Sequence, residues 1–247
     1  YEIFSREMEL NKDVIRQVRS AEDILKNNAE GKISAILTIE DCIFVEGKME
    51  RIEEMAKRGV KMASLTWNYE NSIGYPNSKD AELHKLGLKP FGLEVVAKMD
   101  ELGMVIDTSH LSEGGFWDVV KHSKNPFMAS HSCARALCNH RRNLTDEQLK
   151  ALANKGGIVG VNYENSFLRK GSEMTDVADI IWHMKHMVNV GGIDMVALGS
   201  DFDGIGDGFS SPEYTSQSLM MSIMSALRVY FCDQETFELL RSRCMKK

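Results

Sequence analysis

The stretch ELGMVIDTSHLSEGGFWDVVKHSKNPFMASHS, Glu101–Ser132, carries two short apolar runs on either side of a segment with helical period. MVID (Met104–Asp107) and FMAS (Phe127–Ser130) predict strands, and Gly115–His122 between them predicts a helix, entered through the turn residues Ser112-Glu113-Gly114-Gly115. Strand, helix and strand in that order make a βαβ unit, whose two strands run parallel. A histidine follows each strand, His110 after MVIDTS and His131 after FMAS.

The same alternation extends in both directions. Strands are predicted near Ile33–Ile39, Met62–Thr66, Ile158–Asn162 and Met195–Gly199, and helices over about Asp13–Asn28, Met49–Arg58, Phe91–Leu102, Thr145–Asn154 and Val177–Val190. Gly59 and Gly103 stand just past helix ends, and Thr145-Asp146 has the form of an N-cap with an acidic first turn. No repeat or linker divides the chain, so residues 1–247 read as one domain. Repeated βα units fit either a doubly wound sheet or a (β/α)8 barrel of the TIM type. Polar residues sit at the strand C-termini: Glu40 after ISAILTI, then His110, His131, Asn162 after GIVGV and Asp201 after MVALGS. In a barrel these ends converge on one mouth, whereas a doubly wound sheet usually carries a glycine-rich first βα turn, and no G-x-G-x-x-G occurs here. The barrel is favoured, with six strands where eight are needed.

Composition narrows the function classes. The chain has 247 residues, 43% hydrophobic and 27% charged, and a domain of this size buries roughly 70–75% of its unfolded surface without needing a disulfide or metal to hold its core. The formal charge of -6 and the absence of a Lys/Arg block argue against nucleic acid or an anionic membrane as partner. No apolar run reaches 18 residues and no signal-peptide pattern opens the chain, although it begins on Tyr1, as a processed product or a piece of a longer protein would. Five scattered cysteines without C-x-x-C spacing point to a reducing, cytoplasmic setting.

One carboxylate and two imidazoles at three strand ends have the chemistry of a zinc site, since Zn²⁺ takes His nitrogen and Glu oxygen with a position left for water. Taken singly, His110 and His131 read equally well as hydrogen-bonded structural residues. Glu40 is harder to explain structurally, because a carboxylate after an all-apolar strand needs a cation or strong hydrogen bonds. In GSDFDG, Asp201 and Asp203 point to one side by alternation, and either serves as a base or caps a turn at Gly204.

DTSH (Asp107–His110), SHS (Ser130–Ser132), RRN (Arg141–Asn143), GIVGVN (Gly157–Asn162) and GSDFDG (Gly199–Gly204), preceded by LTIE (Leu37–Glu40) and LTWN (Leu65–Asn68), resemble in order and spacing the membrane (renal) dipeptidase family of metallopeptidases. The resemblance runs from about Asn11 to Gly206. It implies a (β/α)8 barrel related to the amidohydrolases, a two-zinc site and hydrolysis of dipeptides. On that resemblance Glu40 matches the carboxylate that bridges the zincs, and His110 and His131 match the histidines that complete the second. Arg142 matches the arginine that receives the substrate's terminal carboxylate, and Asp201 the carboxylate that acts as base or proton shuttle beside the bridging water.

Three departures accompany the resemblance. The family's first strand ends in His-x-Asp, and no such motif precedes Glu40. The first two βα units are then expected to be missing apart from the second helix, leaving an open barrel, one zinc for this chain and little dipeptidase activity of its own. Trp67 stands where animal members carry a histidine that steadies the tetrahedral intermediate, and Glu164 stands where some members carry Tyr. After Gly208 the match fades, with only ALRVY (Ala226–Tyr230) similar to the family's tail; LMMSIMSAL (Leu219–Leu227) reads as a core-facing helix.

Among the remaining residues, His183 and His186 lie on a predicted helix whose apolar stripe is Ile180, Ile181, Met184, Met187 and Val188, and they read as a solvated face rather than a metal pair. His84, His122 and His140 read as surface or loop residues, and Cys133 lacks the partner pattern of a nucleophile. Two function classes follow: a zinc dipeptidase, or a catalytically impaired or non-catalytic relative or fragment that serves binding or assembly. A homo-oligomer is compatible with either.

Overall fold

The computed structural model describes residues 1–171, 175–201 and 204–205. Asp203 and the predicted helix over Leu219–Leu227, with the ALRVY segment, lie outside the described residues.

The chain opens with helix α1 (Glu2–Leu10), strand β1 (Ile15–Gln17), helix α2 (Ala21–Ala29) and strand β2 (Ile33–Ala35), and β1 and β2 pair in parallel as a sheet of their own. The helix predicted over Asp13–Asn28 is therefore two elements. Ile15 and its neighbours pair with Ile33–Ala35 instead of coiling, and α2 starts only at a capping box in which Ser20 Oγ accepts from Asp23 N while Asp23 Oδ2 accepts from Ser20 N. The run Ile33–Ile39, predicted as one strand, likewise divides at Ile36: β2 serves the small sheet, and β3 (Leu37–Ile39) begins the main one.

The main sheet continues through β4 (Val60–Ser64), β5 (Val105–Asp107), β6 (Met128–Ala129), β7 (Ile158–Val161) and β8 (Val196–Leu198), all parallel. These are the strands predicted from the apolar runs. Their spatial order is their sequence order, β3-β4-β5-β6-β7-β8. A doubly wound sheet reverses its order at a crevice; this sheet never does, which removes that alternative. Among the described residues no ladder joins β3 to β8, so both are sheet edges.

Helices α3 (Met49–Lys57), α5 (Pro90–Glu101), α6 (Glu113–His122), α7 (Asp146–Asn154) and α9 (Val177–Gly191) return the chain between strands, while two short turns of helix, α4 (Ala81–Lys85) and α8 (Asn165–Leu168), escaped the periodicity reading. The entries are set by polar side chains: Ser112 Oγ accepts from Gly115 N to start α6, and Thr145 forms a capping box with Gln148 to start α7. Gly59 and Gly103 take positive φ just past α3 and α5, as predicted. Ile52, Val96, Met99, Phe116, Leu149, Leu152 and Met187 bury their side chains with the strand residues Ala63, Ile106, Ala129 and Val159 in one core cluster. Each fully buried large side chain contributes about 1.5–3 kcal/mol, which is what holds the strand ends in fixed relation.

Those ends come together unusually closely at Gly160 and Gly199. A Cβ at either would meet the Ser130 carbonyl oxygen well inside contact distance, and the obstacle is backbone, which has no rotamer to change. Gly160→Ala is therefore expected to destabilise the fold by about 1–3 kcal/mol, the cost of overpacking, measured as a lower midpoint in urea or heat. An unchanged midpoint would mean that the strands separate there at little cost.

Candidate functional site

Glu40, His110, His131, Arg142 and Asp201 come from five separate places in the chain, and four of them line one cleft of about 450 Å³ at the C-terminal ends of the strands, with Trp67, Asn68, His140, Glu164 and Phe167 among its other walls. His131 stands just behind, its ring edge-on to that of His110 with centroids 5.0 Å apart.

Glu40 leaves the end of β3 half exposed, and its Oε1 lies 3.3 Å from His110 Nε2 and 3.6 Å from His131 Nε2. The ligand atoms of the three residues all lie within 4.8 Å of one another, and among the described residues this is the group of His, Cys, Asp and Glu side chains that could hold a metal ion. His110 reaches the site through a left-handed backbone conformation, φ +68°, with its carbonyl accepting from Asn77 N. A non-glycine residue there stores strain that the surrounding contacts must hold. His131 is held by a backbone bond from its N–H to Ser109 Oγ, 3.0 Å.

Both rings are buried and neutral. Burial, assisted by the nearby Arg142 charge, pushes His110 down to about 3 and moves His131 in the same direction. Neutral imidazole is the form that ligates a metal. The outer nitrogens are engaged: His110 Nδ1 lies 3.2 Å from Asn68 Oδ1, a carbonyl acceptor, and His131 Nδ1 lies 2.8 Å from Ser130 Oγ. That leaves His110 Nε2 facing Glu40 as a lone pair. His131 Nε2 is buried and, among the described residues, has no hydrogen-bond partner. A buried unsatisfied polar atom costs about 1–3 kcal/mol, and here two lone pairs and a carboxylate oxygen converge with no proton between them. The donor set fits a divalent cation that accepts nitrogen and oxygen.

Arg142 is buried beside this cluster. Its guanidinium stacks 5.3 Å over the Phe167 ring, its Nη2 donates to the His131 carbonyl at 3.5 Å, and its Nε has no partner among the described residues. Burial lowers it to about 10, so it stays a cation at neutral pH. Phe167 is sandwiched in turn by the His140 ring at 4.5 Å; His140 is a loop residue, as read, but a half-buried one that builds the wall behind the arginine. Asp201 follows β8 in the left-handed region, φ +60°, and its Oδ2 accepts from Asn162 Nδ2 at 3.1 Å. Burial raises its carboxyl above the ordinary range, opposed by the Asn162 hydrogen bond and the charge of Arg142. A carboxyl moved toward neutrality is suited to exchanging protons. Trp67 is partly exposed, its ring centroid 6.2 Å from that of His110, and Glu164 caps α8, accepting from Ser166 N.

Two histidine readings need correction. His183 is not on a solvated face: it is buried, its Nδ1 accepting from Ala134 N at 3.0 Å and its Nε2 donating to Leu168 O at 3.0 Å. The ring ties α9 to the loop at Ala134 and to the end of α8, whose backbone groups would otherwise be orphaned. His183→Leu is expected to cost about 1–3 kcal/mol for each orphaned group, and a denaturation midpoint equal to the parent's would dispose of that role. His84 is on α4 and largely covered, its ring 3.6 Å from Glu113. His186 is half-buried and meets Asp146 at the start of α7, 2.7 Å, so neither it nor His183 joins a metal-like group among the described residues. The Cys133 thiol is buried, donates to Asn162 O and is pushed well up by burial, which fits a packing role.

A family model described as membrane dipeptidase (peptidase family M19) matches residues 1–226. An uncharacterised Klebsiella pneumoniae protein from the pqqA 5′ region is 36% identical over 77% of this chain and 73% of its own length. An uncharacterised dipeptidase of Schizosaccharomyces pombe is 36% identical over 74% of this chain and 44% of its own. A crystal structure of a metallopeptidase from Rhodobacter sphaeroides, liganded with a phosphinate mimic of the dipeptide L-Ala-D-Ala, superposes with a TM-score of 0.80 at 26% identity, covering 94% of this chain and 67% of that one. The chain thus spans less than half of the yeast protein and about two thirds of the solved one.

Proposed function

This chain belongs to the membrane dipeptidase family, peptidase family M19, and from that premise we propose that its cleft is the working site of a zinc-dependent dipeptidase. On this reading the six-stranded sheet is part of a (β/α)8 barrel, open between β3 and β8. The sequential strand order and the clustering of polar residues at one end support it. The single observation that carries the functional reading is the convergence of Glu40 Oε1 with the inward nitrogens of His110 and His131, one of them buried without a hydrogen-bond partner among the described residues.

A bound zinc supplies Lewis-acid polarisation of a carbonyl and a water-derived nucleophile at neutral pH. The rest falls to the chain's own residues. Arg142 receives the C-terminal carboxylate of the dipeptide, where a planar fork of donors in a desolvated setting discriminates a carboxylate from a neutral end. Its place on Phe167 fixes the fork, so the substrate's position relative to Glu40 is set by packing. Asp201, oriented by Asn162, takes the proton from the attacking water and returns it to the leaving amine. Trp67 and Glu164 face the same cleft and shape the side-chain pocket.

Glu40, His110 and His131 form a complete protein ligand set for one zinc. No histidine precedes Glu40 in this sequence, so a second zinc needs ligands from outside it, and we assign one zinc to the chain as it stands. Zinc content after exhaustive dialysis is expected to be close to one per chain, and to fall sharply in Glu40→Gln and His131→Ala. Stoichiometric binding that survives both substitutions would reject the assignment. The alternative class, a relative that keeps the scaffold without the chemistry, rests on the same missing histidine.

A further inference from the structure

Asp107 is buried at the end of β5 and makes no direct ion pair among the described residues, although the Arg142 charge acts on it from farther off. Its Oδ1 accepts from Ser109 N at 3.0 Å and from Ser130 N at 2.8 Å, and its Oδ2 accepts the Ser130 hydroxyl at 2.5 Å. Taking a carboxylate out of water without a direct ion-pair partner is costly, and three donors on one small group are the kind of compensation it requires. Two of these bonds, both from Ser130, tie the end of β5 to the residue that follows β6, which is the residue before His131.

The direction of these bonds decides the chemistry of the neighbouring ring. With its proton committed to Asp107, the Ser130 oxygen has only lone pairs to offer His131 Nδ1 at 2.8 Å. His131 must then carry its proton on Nδ1, which leaves Nε2 bare and aimed at Glu40. His110 is fixed in the same sense by Asn68 Oδ1. Ser109 adds a second tie, its hydroxyl accepting from His131 N and its own N–H bound to Asp107.

We infer that Asp107 is a positioning residue for the metal centre, acting through Ser130 to hold His131 in the Nδ1–H tautomer and placing a buried carboxylate behind the two histidines. The inference rests on the zinc reading above, but its first consequence belongs to the metal-free protein. Partners of this kind behind a metal-ligating histidine typically account for 10–100-fold in metal affinity. A dication held by Glu40, His110 and His131 also meets the Asp107 charge behind the His131 ring, which offsets part of the repulsion from the nearby Arg142.

The test uses the full 247-residue chain with ¹⁵N-labelled histidine. In the metal-free parent the His131 ring nitrogens are expected to report protonation on Nδ1. In Ser130→Ala the ring is released, giving a mixture of tautomers, and zinc affinity measured by competition with a chelator falls about 10–100-fold. Asp107→Asn should do the same, and Ser130→Thr, which keeps the hydroxyl, should restore both readouts. An unchanged His131 tautomer with unchanged zinc affinity in Ser130→Ala overturns the inference. Loss of thermal stability alone, with tautomer unmoved, also overturns it by making Asp107 a strand-end brace. If the parent shows the Nδ1–H tautomer and the variants lose it while no form binds zinc, the positioning role stands and the zinc reading falls.

Discussion

Replacing Asp201 with Asn is expected to lower dipeptide turnover by about 10² or more in protein carrying its full metal complement, while zinc content stays at the parent's level. The amide keeps the size of the carboxylate and cannot shuttle a proton. Asp201 is not among the three residues whose ligand atoms converge, so its loss should not release the metal. Its one side-chain hydrogen bond among the described residues is from Asn162 Nδ2. An Asn in its place can still accept that bond, so the backbone turn at φ +60° has no reason to collapse. The effect should fall on kcat rather than on KM, because the proton moves only as the bond breaks. Near-normal kcat in this variant would take Asp201 out of the mechanism. A fall in zinc content matching the fall in turnover would make it a ligand instead.

Glu40, His110, His131 and Asp201 were legible in the sequence for one physical reason, whereas Arg142 entered only through the family resemblance. A parallel sheet leaves its strand C-termini at one end, and a polar residue directly after an apolar run has few structural explanations. Glu40 after ISAILTI is the clearest case, and Asp201 after MVALGS follows the same logic. What was not legible was anything decided by a partner on another element. His183 looks solvated when only its own helix is considered, but Ala134 N on a distant loop and Leu168 O at the end of α8 need the ring to satisfy them. Ile15–Gln17 has the composition of a helix flank and becomes a strand only because Ile33–Ala35 lies alongside. The clues to its end were nonetheless present, in the Ser20 and Asp23 of a capping box. Asp107 and Ser130 stood in plain view within DTSH and SHS. Their relation appears only when β5 and β6 are set side by side, since a spacing of 23 residues carries no sign of a 2.5 Å hydrogen bond.

The largest effect expected concerns the chain's own activity. Two-metal hydrolases hold their ions about 3.5–4 Å apart and use both to activate water and steady the developing charge. In this sequence the first histidine is His84, far from Glu40 along the chain, and the cluster that converges on Glu40 contains two histidines and no further carboxylate among the described residues. The ligands that the family takes from a His-x-Asp strand are thus not supplied by the residues before Glu40. The same strand would pair at a sheet edge and steady β3, whose last residue presents Glu40 half exposed. A misplacement of about 1 Å at a reacting centre costs about 10²-fold, and β3, paired to β4 on one side only, holds Glu40 with less support than a strand paired on both. The 247-residue chain with added Zn²⁺ is therefore expected to hydrolyse a panel of dipeptides at least about 10²-fold more slowly than a version extended at its N-terminus by a His-x-Asp strand. Both lengths are to be assayed beside their measured zinc content, one ion in the short form and two in the long. Comparable zinc-dependent turnover by the two lengths would mean that Glu40, His110 and His131 suffice with a single ion. A long form that binds two zincs and leaves every dipeptide intact would favour a scaffold retained for binding rather than for hydrolysis.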